Sequence, residues 1–507
     1  MQKKISNFKK EIKAHKFIYP ILGIILVAAF FLRVYRLGTV LGFYFDQGRD
    51  ALVIWDFIHL HKFFLIGPTT GLAGIFRGPY YYYLIAPFYF LGRGNPIWPS
   101  VFLAATTVFA IYLIYVLGAK IQDRTTGIFA AIIASFSFYI VMASRWLSNP
   151  TPMLLLSMLL VSSMLQITQN TKEKSQKWWV AIALISGLSL FNFGSSGEFF
   201  YFPALIIFAI WQYKKWPNIK YFLLSVFAFV ITFAPLVLFD LKHQHILLNN
   251  FFGTFGANGG SFKKVTSFIF SERNKTYYDI FTNKLFDARG TREIVVMTVV
   301  LISFLATLRK TFKQDGVKIL LLLLISPIIG LYFYQGNYGV LYDYYMTGYY
   351  LIFILLFAIG LGRIWKLKIV GPLFVFYFFY LFLTANIPLV IARLSDRCNT
   401  LESVCFVNQK QAIDWIYSDA KGEKFNVDVY VPPVIPYAYD YLLKWKSNPN
   451  LVNDRVPLLY TLYEVDPPHP ERLDVWLVRQ KGIGKVQETF VSGGITVERR
   501  IRIEQKK

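Results

Sequence analysis

KFIYPILGIILVAAFFLRVYRLG, residues 16–38, is an apolar run long enough to cross a bilayer as one helix, since a spanning helix needs about 20 such residues. A lysine-rich segment (residues 3–16) precedes it, and Arg33 and Arg36 close it. No small-residue cleavage site follows the run, so we expect a retained first span and not a cleaved signal peptide.

Similar runs recur along the 507 residues. The chain is 55% hydrophobic and only 16% charged, whereas a soluble domain has about 25% charged residues. The candidate spans are 17–37, 96–118, 127–143, 150–168, 178–193, 199–213, 219–239, 294–308, 319–335, 347–362 and 369–391. This pattern predicts an all-α polytopic membrane protein with about eleven transmembrane helices.

Lysine and arginine are concentrated in every second connection between these runs. The basic connections are residues 119–126, 169–177, 214–220, 309–318 and 363–368, together with the N-terminus. By the positive-inside rule these are cytoplasmic, which places the N-terminus inside and the C-terminus outside. The net charge of +24 is therefore spread over short loops and not over one continuous face, which argues against nucleic-acid binding.

The apolar run Gly78–Gly92 would invert this topology if it crossed the membrane. It holds about 15 residues, fewer than a span requires, so we expect an interfacial helix with Tyr80 to Tyr83 at headgroup depth. The outer face then collects two long loops, 38–95 (the first long loop) and 240–293 (the second long loop).

The chain divides into a transmembrane domain, residues 1–391, and an extracytoplasmic C-terminal domain, residues 392–507. The C-terminal domain is predicted to be α/β, with a helix at 408–420 and strands at 425–431 and 473–478. Its two cysteines, Cys398 and Cys405, are spaced for a small disulfide loop or remain two thiols.

Candidate catalytic residues gather in the first long loop, not within the spans. Asp46 follows the first span in the aromatic sequence FYFDQGRDA, where a partly desolvated carboxylate suits a general base. Asp50 lies one turn further on. An equally simple interpretation makes Asp46 the cap of a helix.

Arg77 precedes Gly78 and the tyrosine-rich run, where a guanidinium could hold a lipid phosphate or anchor the chain at the headgroups. Arg145 has the same two interpretations. Tyr82 and Tyr345 are candidates for substrate contact, although aromatic belts account for most such tyrosines. Weaker candidates for metal ligands, three residues apart, are Asp240 and His243.

These motifs resemble glycosyltransferase family 39 of the GT-C superfamily, which includes protein O-mannosyltransferases and lipid A aminoarabinose transferases. The resemblance is specific over residues 17–145: FLRVYRLG closes the first span, FYFDQGRDA supplies the acidic residue, and FRGPYYYYLIAPFYFLG follows. Gln47 stands where relatives often have glutamate, and Gly78 replaces the first proline of their Lys-Pro-Pro-like motif.

The resemblance implies transfer of a sugar from a polyprenyl-phosphate donor to an acceptor outside the membrane, with inversion at the sugar. It implies Asp46 as base or acceptor-orienting group and Arg77 as donor-phosphate contact, while the role of Asp50 stays open. The acceptor is a glycan, a lipid or a protein. No cofactor is certain, but some GT-C relatives use a divalent cation. The alternatives are a transporter or flippase of lipid-linked sugars and a non-catalytic envelope assembly protein.

Overall fold

A computed structural model describes residues 16–71, 74–255, 262–287, 290–336, 339–432 and 435–503. The lysines at positions 3–13, on which part of the predicted orientation rests, lie outside the described residues.

Each predicted span coincides with a helix or a bent pair of helices. Their bounds are Ile18–Val34, Ile97–Ile121, Arg124–Phe136 with Phe138–Arg145, Met153–Gln169, Lys172–Leu188, Tyr201–Trp211, Ile219–Val230 with Ala234–Lys242, Thr291–Ala306, Asp315–Phe333, Tyr350–Trp365 and Val370–Ser395. Within the described residues, five helices are long and apolar enough to cross a membrane, or seven if each bent pair is one span. The chain is thus a multi-pass membrane protein, and a total of eleven spans stays a prediction.

The two bends have local causes. Ser137 takes an extended conformation between Arg124–Phe136 and Phe138–Arg145, which meet at 63°. Pro235 opens Ala234–Lys242, which turns by 52° from the preceding helix. Proline is tolerated in the first turn of a helix, because the amide hydrogen that it lacks would have no intrahelical partner there.

The centre of the bundle is the segment Asp343–Trp365, whose apolar window is completely buried. Outer helices instead expose large apolar side chains, such as Phe222, Leu223 and Phe227 on Ile219–Val230. This distribution suits a protein surrounded by lipid, since lipid tails are as apolar as leucine.

Shorter helices form the connections. They are Leu37–Val40, Phe45–Leu60, Tyr80–Leu91, Ile246–Phe255, Ser267–Thr282 and Leu308–Lys313, with short 3₁₀ segments at Gly197–Phe200, Tyr213–Lys215 and Asp343–Tyr349. A five-residue π-helix, Ser189–Phe193, continues Lys172–Leu188.

The tyrosine-rich run forms the helix Tyr80–Leu91, 12 residues long. Tyr81 and Tyr82 are buried inside the protein, and the placement of Tyr80 to Tyr83 at headgroup depth stays a prediction. Successive residues of a helix point about 100° apart, so four in a row cannot share one face.

The C-terminal domain is α/β, as predicted. Its helices are Phe406–Asp419, Tyr437–Lys446 and Pro470–Ile483, and its strands are β1 (Phe425–Tyr430), β2 (Leu458–Glu464), β3 (Gly484–Ser492) and β4 (Ile495–Arg502). The sheet order is β1-β2-β4-β3, with β1 and β2 parallel and the other pairs antiparallel. Cys398 and Cys405 form a disulfide.

The predicted strand at 473–478 is wrong, because these residues belong to the helix Pro470–Ile483. Trp476 and Gln480 are its buried residues, and their spacing of four is helical. A six-residue apolar run fits either structure, and Pro470 in the first turn was the signal for a helix.

This domain packs on the first long loop. The backbone N of Ala438 would lie 2.3 Å from a Cβ placed on Gly48, so only glycine permits the approach of Tyr437–Lys446 to Phe45–Leu60. Lys444 Nζ lies 2.7 Å from Asp56 Oδ1, and Trp445 Nε1 donates to the Arg93 carbonyl at 2.8 Å. These contacts hold the helix that carries Asp46.

Candidate active site

Asp46 lies in the first turn of Phe45–Leu60, here called the Asp46 helix. Gln47 accepts a hydrogen bond from the Tyr44 backbone N–H at 3.2 Å and donates one to the Leu147 carbonyl at 3.2 Å. The first bond caps the helix start, and the second ties it to the connection after Phe138–Arg145. The glutamine that departs from the family pattern therefore fixes the position of its neighbour Asp46.

Arg49 lies between two carboxylates on this helix. Its Nη1 is 2.9 Å from Asp46 Oδ1, and its Nη2 is 2.8 Å from Asp50 Oδ1. Tyr82 donates to the same Asp50 oxygen at 2.8 Å, and Arg49 also donates to the Thr69 hydroxyl at 2.7 Å. A single guanidinium thus joins both predicted carboxylates to the loop that leads to Arg77.

The two carboxylates have different surroundings. The side chain of Asp46 is 55% exposed, whereas that of Asp50 is 8% exposed. The desolvation expected at Asp46 is therefore found at Asp50. Burial raises the pKa of Asp50 to about 6, and Arg49 and Tyr82 oppose that rise.

Arg77 is held by its main chain. Its N–H donates to the Pro68 carbonyl at 2.9 Å, and its carbonyl accepts from the Gly67 N–H at 2.7 Å. Its Nη1 donates to the Leu190 carbonyl at 3.1 Å. Among the described residues, no carboxylate forms an ion pair with this guanidinium, and burial lowers its pKa.

The electrostatic neighbours of Arg77 are Glu198 and three tyrosines, Tyr334, Tyr344 and Tyr345. Asp46 and Arg77 both act electrostatically on Tyr344. Arg49, which pairs with Asp46, also donates to Thr69 in the segment that leads to Arg77. Glu198 is itself occupied, since it accepts from the Ser195 N–H at 2.6 Å and the Gly348 N–H at 2.7 Å.

Arg273 belongs to the same site and was missed from the sequence. It lies on Ser267–Thr282 in the second long loop, is 5% exposed, and donates to the Tyr334 carbonyl at 3.3 Å. Its Nε has no hydrogen-bond partner among the described residues. Both Arg273 and Arg77 act electrostatically on Tyr345, which is 5% exposed. The signal in the sequence was an arginine flanked by aromatic residues in a loop that is predicted to lie on the outer face.

The comparisons with known proteins concern the family match and the fold. Residues 76–239 match the family model described as dolichyl-phosphate-mannose-protein mannosyltransferase. The fold matches ArnT from Cupriavidus metallidurans, solved with undecaprenyl phosphate and in the apo state, with TM-score 0.61 over 96% of this chain and 98% of that chain. The chain thus has the fold of the GT-C membrane glycosyltransferases. At 10% identity the likeness to ArnT concerns the fold.

A second GT-C structure is similar at a lower level. AglB from Archaeoglobus fulgidus, an archaeal oligosaccharyltransferase solved with an inhibitory peptide and a dolichol-phosphate, gives TM-score 0.49 at 11% identity, over 96% of this chain and 74% of that chain. No curated protein matches the sequence.

Arg145 binds backbone carbonyls of the protein itself. Its guanidinium donates to the carbonyls of Leu32, Arg33 and Tyr35 at 2.9–3.1 Å. These carbonyls end the first helix, where a cation is favourable. The anchoring interpretation therefore describes Arg145 better than a phosphate contact.

The weak metal candidates, Asp240 and His243, have other partners. Asp240 accepts from the Leu247 N–H at 2.7 Å and lies 3.3 Å from His245 Nδ1, while His243 stacks on Phe239. In the part of the chain that the structure describes, one group of three potential metal ligands lies together. It consists of Asp396, Cys398 and Cys405, and its two sulfurs form the disulfide.

Proposed function

We propose that this chain transfers a sugar from a polyprenyl-phosphate donor to an acceptor on the extracytoplasmic face of the membrane, by one displacement that inverts the anomeric centre. The donor class is supported by the ArnT structure that contains undecaprenyl phosphate and by the description of the matching family. Partners would be the lipid-linked donor, membrane lipid and a glycan, lipid or protein acceptor.

The observation that carries the proposal is a pair of arginines with spare donors. Arg77 and Arg273 both interact electrostatically with Tyr345, and among the described residues neither forms an ion pair with a carboxylate. Glu198 is the carboxylate that acts electrostatically on Arg77, but it accepts from the Ser195 and Gly348 N–H groups and forms no ion pair with Arg77 among the described residues. Desolvated cations that lack an ion-pair partner are unfavourable, so the site favours an anionic ligand. Guanidinium groups match phosphate with paired hydrogen bonds, which makes the donor phosphate a fitting partner.

The chemistry needs one base and cations. An acceptor hydroxyl or amine attacks the anomeric carbon, the bond from that carbon to the phosphate oxygen breaks, and the bonding pair leaves with the lipid phosphate. Arg77 and Arg273 stabilise the charge that develops there. Asp46, the more exposed carboxylate, takes the acceptor proton.

Asp50 then serves as a positioning residue. It binds Arg49 at 2.8 Å and is itself bound by Tyr82, so it fixes the guanidinium that holds Asp46. Its low exposure keeps it from direct contact with an acceptor. Tyr82 accordingly supports the base, while Tyr345 is placed to contact the donor.

Two observations support an extracytoplasmic site. The Cys398–Cys405 disulfide lies in the domain that packs on the Asp46 helix, and disulfides persist in oxidising compartments. The basic connections occupy the alternate set of loops, as expected for the cytoplasmic side.

Asp46→Asn tests the proposal, because it removes the base and keeps the shape. We expect sugar transfer to fall by about 10²–10⁴-fold, the usual contribution of a positioned base. The measurement is mass spectrometry of envelope glycolipids and glycoproteins from cells with the wild-type chain, with the variant, or with neither.

Asp315→Asn is the matched control. Asp315 also lies in the first turn of a helix and pairs with the basic residue three positions on, Lys318, at 2.7 Å. The control should keep wild-type products. Full transfer by Asp46→Asn would refute its role, and movement of lipid-linked sugar across vesicles without any transfer would favour the transporter alternative.

A further inference from the structure

Three segments that are distant in sequence meet directly behind Arg77. The π-helix Ser189–Phe193 ends Lys172–Leu188, and its last carbonyls lie beyond the regular hydrogen-bond pattern of that helix. Two of these carbonyls are used by the Arg77 segment. Leu190 O accepts from Arg77 Nη1 at 3.1 Å, and Phe191 O accepts from the Gly78 N–H at 2.7 Å.

Asn192 completes this contact. Its Oδ1 accepts from the Tyr80 N–H at 3.3 Å, and its Nδ2 donates to the Thr232 carbonyl at 2.9 Å, in the bend between Ile219–Val230 and Ala234–Lys242. The side chain is fully buried. It therefore connects the residue three after Arg77 to a second bent helix.

Gly78 leaves room for the arrangement. A Cβ at this position would lie 2.1 Å from Asn192 Oδ1, well inside contact distance. Its φ is not positive, so the reason for glycine here is the close approach of Asn192 and not backbone strain. This gives a physical reason for glycine where relatives have proline, since proline would also lack the N–H that Phe191 O accepts.

We propose that Asn192, with the π-helix Ser189–Phe193, is the positioning element that aims the Arg77 guanidinium at the donor phosphate. The Leu190 carbonyl orients one edge of the guanidinium and leaves its other N–H groups for the ligand, while the Phe191 carbonyl holds the backbone of Gly78. π-Helices are rare and occur often at functional sites. This inference rests on the proposed function, because it assumes that Arg77 binds phosphate.

The test is the binding of undecaprenyl phosphate to the full chain in nanodiscs, with neutral undecaprenol as a second probe. Asn192→Ala should weaken undecaprenyl phosphate binding by about tenfold, as expected for loss of a buried hydrogen-bonded group, and should leave undecaprenol binding unchanged. Gly78→Ala should act in the same direction and serves if Asn192→Ala does not fold.

Asn386→Ala is the matched structural control. Asn386 is also buried, and it also accepts from a backbone N–H, that of Phe138 at 2.7 Å, and donates to a distant carbonyl, that of Leu285 at 2.8 Å. It should lower thermal stability about as much as Asn192→Ala while changing undecaprenyl phosphate affinity less than about twofold.

A double variant separates positioning from general damage. In the Arg77→Ala background, Asn192→Ala should weaken binding no further, because its effect passes through Arg77. Equal losses for Asn192→Ala with and without Arg77, or equal losses for Asn192→Ala and Asn386→Ala, would overturn the inference. If Arg77→Ala alone binds undecaprenyl phosphate normally, the phosphate role in the proposed function fails instead.

Discussion

Arg145 and Arg77 look alike in the sequence but differ in the structure. Arg145 donates to three carbonyls at the end of the first helix, and Arg77 donates through its side chain to one carbonyl, that of Leu190. A guanidinium carries five N–H groups, so the first is largely satisfied by its own protein and the second is not. The number of occupied donors separates a cation that holds the fold together from one that is left for a ligand.

The largest effect expected from this difference is on stability. Arg145→Leu leaves the carbonyls of Leu32, Arg33 and Tyr35 without their donor, and hydrogen bonds to a charged group contribute about 1.5–3 kcal/mol each. We expect a loss of about 3 kcal/mol or more in the free energy of unfolding, measured by thermal or denaturant unfolding in detergent.

Arg77→Gln is the variant to compare with Arg145→Leu, because Arg77 contributes to ligand binding more than to stability in this interpretation. It should bind undecaprenyl phosphate poorly yet unfold at nearly the wild-type temperature. The comparison breaks down if Arg145→Leu is as stable as wild type, or if Arg77→Gln is the less stable of the two variants.

Arg273 provides a second test of the difference between Arg77 and Arg145, through a smaller expected effect on ligand affinity. Its buried Nε lacks a partner among the described residues, so it resembles Arg77 and not Arg145. We expect Arg273→Gln to weaken undecaprenyl phosphate binding by about 10–100-fold, the equivalent of about 1.4–2.8 kcal/mol. The affinity is measured in nanodiscs at one ionic strength. Arg273→Lys keeps the charge without the planar fork and should recover part of the loss. Wild-type affinity in Arg273→Gln would exclude it from the site.

The sequence was sufficient for the features that depend on local pattern. Apolar runs of sufficient length identified the helices of the bundle, and the resemblance over residues 17–145 pointed to the GT-C fold. The short apolar run at 473–478 misled, because six residues fit a strand or a helix equally well. Local pattern also gave candidates at Asp46 and Arg77.

The rest of the site depends on residues that are distant in the chain. Arg77 lies in the first long loop, Arg273 in the second long loop and Tyr345 in Asp343–Tyr349. The electrostatic interaction of both arginines with Tyr345 therefore depends on how these three segments pack together. The burial of Asp50 under Tyr82, and the carbonyls that Arg145 and Arg77 meet, are likewise products of packing. Sequence supplies charge and spacing, whereas desolvation and the number of available partners follow from the tertiary structure.

The difference between desolvated and satisfied charges also applies to carboxylates. For Asp50 we expect a change in the pH dependence of stability, which is the smallest of these effects. Its folded-state pKa of about 6 lies above the value of about 3.9 for an unfolded aspartate, so the folded chain binds this proton more tightly. The contribution of Asp50 to stability should therefore fall as pH rises from about 4 to about 6 and change little above that. Asp50→Asn should remove this slope, which thermal unfolding at a series of pH values would detect.

Asp56 is the control on the same helix, and its contribution has the opposite sign. Hydrogen bonds from Lys444 lower the pKa of Asp56, so its contribution to stability is present above the unfolded pKa and is lost as pH falls through the lowered value. Asp56→Asn should therefore change the unfolding curve only at low pH. If Asp50→Asn and wild type keep the same pH slope between about 4 and 6, Asp50 is not the desolvated carboxylate, and the division of roles between Asp50 and Asp46 would have to be reversed.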